Sequence, residues 1–195
     1  MVVRKKELIE DAVFSIKVDG FGYVLSQLRD DSRMDIFDNL KDDDEWQGED
    51  LNKANILFTI VVAEHRLLKL FSRNVTSVVK INQRPRCLIG LSLSEEVRES
   101  SSLPGLRLIR YEKTYDPNNI EVLIPMLDPI VHKDLIYSYE YIGMQGNPEE
   151  IKNRIELYYK NGINWDKQKS VLYPELELPP RGYKNISYDE FIKNN

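Results

Sequence analysis

Short apolar runs bounded by turn residues dominate the first forty positions. Val13, Phe14, Ile16 and Val18 form a β-rich run, Asp19-Gly20 supplies a tight turn, and residues 21–25 start a return strand. Gly22, inside that return strand, marks a bulge or a close approach of another backbone. Residues 34–37 complete a three-stranded meander. Residues 55–63, Asn-Ile-Leu-Phe-Thr-Ile-Val-Val-Ala, are almost continuously apolar and β-branched, which predicts a central strand covered on both faces. Residues 65–71 fit either a strand or a helix. Strands are predicted at 75–81 and 87–93, on either side of Asn82-Gln83-Arg84-Pro85. The Glu- and Ser-rich stretch 94–102, before Pro104-Gly105, reads as an exposed excursion. A half-exposed strand follows at 106–111, then a turn at 116–119 and a strand at 120–124. Tyr137, Tyr139 and Tyr141 alternate with Ser138, Glu140 and Ile142, as three tyrosines on one strand face would.

The period changes near residue 147. Asn147 suits an N-cap, Pro148 the first helical position, and Glu149 and Glu150 the positive end of the helix dipole. Ile151, Ile155, Tyr158 and Tyr159 then make one apolar stripe, ended by Gly162. Ser187 and Glu190 form a capping box before Phe191 and Ile192, predicting a second, shorter helix. Between them, Pro174, Pro179 and Pro180 mark residues 171–184 as an extended crossing. The pattern is α+β: a strongly bent antiparallel or barrel-like β-sheet, one long amphipathic helix and a short C-terminal helix. Residues 1–195 read as a single domain, with a possible subdomain join near 103–105.

Charge adds one feature. Between residues 39 and 53 lie Asp42, Asp43, Asp44, Glu45, Glu49 and Asp50, with Trp46 among them. A solvated loop, or the exposed face of a short helix, accounts for such a run. The consecutive acids lack the alternating ligands and glycine of a calcium loop, so no metal site is assigned. A second reading is recognition: an acidic loop beside an aromatic side chain receives a basic partner and steers its approach. The net charge of −5 and pI of about 5.2 disfavour non-specific nucleic-acid binding. The alternative, a nucleic-acid-binding module, rests on the basic segment 65–113, with Arg66, Lys69, Arg73, Lys80, Arg84, Arg86, Arg98, Arg107, Arg110 and Lys113. Base-stacking aromatics are not interleaved with them.

Candidate catalytic parts are few. His65 and His132 stand apart from any metal-ligand spacing or oriented partner. Nucleophile-elbow, phosphate-loop and dinucleotide signatures are absent, and no cofactor is implied. Cys87 is the single cysteine and reads as a buried small hydrophobe, which fits a reducing compartment. The N-terminal residues lack a signal-peptide core, and no window reaches the length of a membrane span. A cytoplasmic location is expected.

The opening Asp11–Asp38 segment, with its hydrophobic strand, Asp-Gly turn and Gly20-Phe21-Gly22 leading into Val24-Leu25, resembles the Imm26 family, immunity proteins of bacterial polymorphic-toxin systems. The resemblance implies a protein that is not an enzyme, binds a cognate toxin domain and blocks it. Such toxins are often nucleases with basic clefts, which an acidic inhibitor complements. It supplies no functional residue. The interface candidates Asp42, Asp43, Asp44, Glu45 and Trp46 come from charge and aromatic placement alone.

Overall fold

The structure is a computed structural model that describes residues 3–98, 103–114 and 116–194. Its strands, in chain order, are β1 (Val13–Val18), β2 (Gly22–Arg29), β3 (Arg33–Asp38), β4 (Asn55–Val61), β5 (Phe71–Asn74), β6 (Ile89–Val97), β7 (Pro104–Tyr111) and β8 (Ile120–Ile124). The helices are α1 (Lys133–Ser138), α2 (Pro148–Asn161), α3 (Lys167–Leu172) and α4 (Tyr188–Asn194). The chain divides into two compact units. Unit 1 comprises Met1–Arg86 and Met144–Lys160, and unit 2 comprises Cys87–Gly143 and Asn161–Asn195. Residues 103–105 lie inside unit 2, at the start of β7.

Unit 1 is an antiparallel sheet of order β4-β3-β2-β1-β5, covered on both faces. Alternation along the strands sends Phe14, Ile16, Val24, Leu28, Met34, Ile36, Phe58 and Ile60 to one face, where Ile151 and Ile155 of α2 meet them. Val13, Leu25 and Phe37 go to the other, under Trp46, Leu51 and Val75. Burial on both sides explains why these strands read as apolar runs rather than clean alternation. At the start of α2 the Asn147 side chain accepts the Glu149 N–H (3.1 Å), and Gly162, at φ +68°, follows its end.

Unit 2 carries a second antiparallel sheet, β6-β7-β8. Leu91, Leu106 and Leu108 pack with Leu135 and Ile136 of α1, with Leu172 and Tyr173, and with Phe191 of α4. The Tyr173 hydroxyl accepts the Leu106 N–H and donates to the Leu127 carbonyl, both at 2.8 Å. The capping box at α4 is reciprocal: Ser187 N–H donates to Glu190 (2.7 Å), and Glu190 N–H donates to the Ser187 hydroxyl (3.1 Å).

The fold is therefore α+β, but several expectations are corrected. Instead of one barrel-like sheet there are two open sheets, because β4 and β5 end the first and β6 and β8 the second. The apolar run at 55–63 is an edge strand. Phe58, Ile60 and Val62 pack into the core, while Asn55 and Ile56 are exposed. Where the strand ends, the segment around Gln145 bonds to it through Ala63 N–H to Gln145 O and Gln145 N–H to Val61 O (both 2.8 Å). Residues 75–81 are not a strand. The Asn74 side chain accepts from Thr76 N–H (3.0 Å) and the Thr76 hydroxyl accepts from Val13 N–H (2.8 Å), which favours a 3-10 turn at Thr76–Val78.

The three tyrosines do not share a strand face. Tyr137 lies in α1 beside the buried Leu135 and Ile136, and Tyr139 follows the helix end. Part of the 171–184 crossing is helical, because Asp166 caps α3 by accepting the Gln168 N–H (2.8 Å). Cys87 is exposed rather than buried, at the start of unit 2. Of the expected excursion at 94–102, residues up to Val97 continue β6, and residues 99–102 lie outside the described residues.

Candidate protein-docking surface

The acidic run is a loop with a fixed frame. Its entry is set where β3 ends: Asp38 accepts hydrogen bonds from Tyr158 (2.7 Å) and Tyr159 (3.0 Å) of α2. Burial, reinforced by the Asp38 carboxylate, pushes the pKa of the Tyr158 hydroxyl up to about 12 and raises that of Tyr159 further, so both stay donors to Asp38 into the alkaline range. The Asn39 side chain then accepts the Leu25 N–H (3.1 Å). Lys41 pairs with Tyr23 through both backbone bonds, at 2.7 and 2.9 Å.

That pairing explains Gly22. A Cβ there would stand 2.1 Å from the Lys41 carbonyl oxygen, and φ is +130°. The anticipated close backbone approach is thus the point where the loop crosses β2. Gly22→Ala is expected to destabilise the protein by about 1–3 kcal/mol, read as a lower urea midpoint in equilibrium unfolding.

Trp46 plugs the loop into the sheet. It is 1% exposed, packs with Val13, Leu25, Phe37, Leu51 and Val75, and donates its indole N–H to Asp44 (2.6 Å). Lys41 lies 4.7 Å above the Trp46 ring and pairs with Glu49 (2.8 Å). Trp46 is therefore a core anchor, not the exposed contact residue that its place in an acidic run suggests. Further on, Gly48 N–H bonds to Val78 O, Lys80 N–H to Glu49 O and Leu51 N–H to Lys80 O, at 2.7–2.9 Å.

The carboxylates divide into two sets. Asp44 faces Arg73 (3.3 Å), Glu49 faces Lys41, and Asp50 faces Lys80 (3.3 Å). Asn52, with Lys80 contributing, holds the Asp50 carboxyl below the usual carboxylate range. Asp42, Asp43 and Glu45 are exposed, and among the described residues no cation pairs with them. No group of three or more metal-ligating side chains that could hold a metal ion occurs among the described residues. What remains is three solvated negative charges on a loop held at both ends and in its middle. Such a surface meets a basic partner with little ordering cost.

A family model described as Domain of unknown function (DUF8309) matches residues 3–178. The chain belongs to the DUF8309 family. Comparison with curated proteins and with solved structures found no match. The DUF8309 match takes in the whole acidic loop and the elements that frame it, and runs through both units to a point before α4.

The other sequence candidates fall elsewhere in the DUF8309 chain. His65 is exposed in a 3-10 turn, and His132 accepts a backbone N–H from Asp128. The basic residues are divided between units and largely compensated. Lys80 faces Asp50, Arg86 faces Asp30, Arg98 faces Glu175, Arg107 faces Glu95 and Arg110 faces Glu121. Arg84 donates to the Leu51 and Ala54 carbonyls (3.1 and 2.8 Å). No helix among the described residues is long and apolar enough to cross a membrane.

Proposed function

We propose that the protein is a cytoplasmic immunity protein that neutralises a cognate bacterial toxin domain by stoichiometric binding, not catalysis. Its docking surface is the loop bearing Asp42, Asp43 and Glu45, and the partner is a basic domain such as a nuclease. The observation that carries this reading is the set of solvated carboxylates on a loop anchored by Trp46 and the Tyr23–Lys41 pair. A pre-ordered anionic loop favours fast, selective capture of a cationic cleft. The Imm26 resemblance of the opening meander supplies the partner class. The pairing of Lys80, Arg86, Arg98, Arg107 and Arg110 with carboxylates weighs against the nucleic-acid alternative.

The test is survival. Cells producing the toxin domain encoded beside this gene are expected to grow when the protein is co-produced and to die without it. Equal killing in both cases sinks the proposal.

A further inference from the structure

The turn that leads into α1 is built on a histidine that has to be neutral. His132 Nδ1 accepts the Asp128 N–H (2.9 Å), the His132 N–H returns to Asp128 O (2.9 Å), and the Asp128 carboxylate accepts from Ile130 and Val131 (both 2.8 Å). A ring that accepts through Nδ1 carries its proton on Nε2. A second proton on Nδ1 would set one donor against another and break this bond.

The same ring touches the last helix. His132 and Phe191 of α4 lie 5.7 Å apart between centroids. Phe191 is buried, the Tyr188 N–H donates to the Tyr139 hydroxyl (2.7 Å), and the Ile186 N–H donates to the Ser138 hydroxyl (2.9 Å). α4 has seven residues, too few to persist as a helix without docking. It also lies beyond residue 178, where the family match ends. A short helix docked through Phe191, Tyr188 and Ile186, with Phe191 against a proton-sensitive turn, is suited to conditional release.

We propose that His132 is a pH-sensitive latch for α4: protonation opens the Asp128–His132 turn, frees Phe191 and uncovers the α1 side of the unit 2 core. Burial lowers the His132 pKa, opposed by the Asp128 carboxylate. Arg98 bears on Asp128 in turn. On α4, Asp189, Glu190 and Lys193 flank Phe191, with Glu190 engaged by Ser187. On α1, Lys133 and Asp134 follow the ring, and Asp134 accepts from Tyr183 (2.8 Å).

The sign follows from linkage. With the docked pKa below the free value of about 6.5, the undocked state binds more protons in acid. Docking is complete above about pH 6.5 and weakens as pH falls toward the docked pKa, tenfold for each unit of separation.

Amide hydrogen exchange of residues 188–194 in the full chain, corrected for intrinsic rates, tests this between about pH 7.5 and 4.5. Opening of α4 is expected to rise several-fold in acid while α2 is unaffected. His132→Asn, whose Oδ1 keeps an acceptor near the Nδ1 position but cannot titrate, is expected to abolish the rise. The His132 ring titration, followed by NMR in the wild-type protein, is expected below about 6.5. Acid-insensitive α4, an undiminished rise in His132→Asn, or a ring titrating at or above that value would overturn the latch.

Discussion

Trp46→Ala is expected to lower the unfolding free energy by about 3–5 kcal/mol, the range for emptying a buried large aromatic site. The side chain is 1% exposed within a cluster that includes Val13 of β1, Leu25 of β2 and Phe37 of β3. The substitution also removes the indole N–H from Asp44 and the ring beneath Lys41. Urea unfolding gives the reading: a lower midpoint with an unchanged slope. Loss of partner binding in this variant reflects a collapsed frame, so it does not identify Trp46 as a contact. The exposed carboxylates are the proper probes of contact, because their substitution should change stability by no more than about 0.5 kcal/mol.

Asp35→Ala is expected to cost about 3–5 kcal/mol, for an electrostatic reason. Asp35 is 3% exposed on β3, and its carboxylate accepts from Arg29 (2.9 Å), Thr59 (2.7 Å) and Asn82 (3.1 Å). Asn82 exchanges hydrogen bonds with Gln27 through its backbone N–H (2.8 Å) and carbonyl (3.1 Å), and its side chain accepts from Arg84 Nε (2.8 Å). Removing the carboxylate strands a mostly buried guanidinium and two donors together. Pairing Asp35→Leu with Arg29→Met is expected to recover part of the loss, since it leaves no charge uncompensated while the Thr59 and Asn82 donors remain without Asp35. Thermal unfolding of the single and double variants checks this, and equal destabilisation by both would contradict the ion-pair account.

The locally determined parts of the fold were legible. The β1–β3 meander follows from apolar runs and one Asp-Gly turn, and the starts of α2 and α4 follow from capping side chains within three residues of their partners. Gly22 was readable as a close approach, though not its partner, Lys41. The failures share a cause. The run at 55–63 is apolar because Phe58, Ile60, Val61 and Val62 are buried, although Asn55 and Ile56 are exposed, and an apolar run does not report whether a strand is central or at an edge. Tyr137, Tyr139 and Tyr141 mimic a period of two, while Leu135, Ile136 and Tyr137 are buried together in a short helix.

The loop itself was visible from its charge, but its organisation was not. Nothing local tells Asp44, which finds Arg73 twenty-nine positions later, from Asp42, Asp43 and Glu45, which face solvent. Trp46 looked like a contact residue because its neighbours are acidic. Its burial depends on Val13 of β1, Leu25 of β2 and Phe37 of β3, which the sheet brings together on the face that Trp46 covers. Likewise, the role of Asp35 depends on Asn82, forty-seven residues away.

The most direct measurement is association of the purified protein with the toxin domain proposed as its partner, for wild type and the triple variant Asp42→Lys, Asp43→Lys, Glu45→Lys, across a range of salt. Wild type is expected to bind one to one, with an association rate that falls as salt rises. Charge reversal is expected to slow association at least about tenfold at low salt, leaving the urea midpoint nearly unchanged. Equal association rates for the two proteins, or no binding by the wild type, would contradict the assignment of this loop as the docking surface.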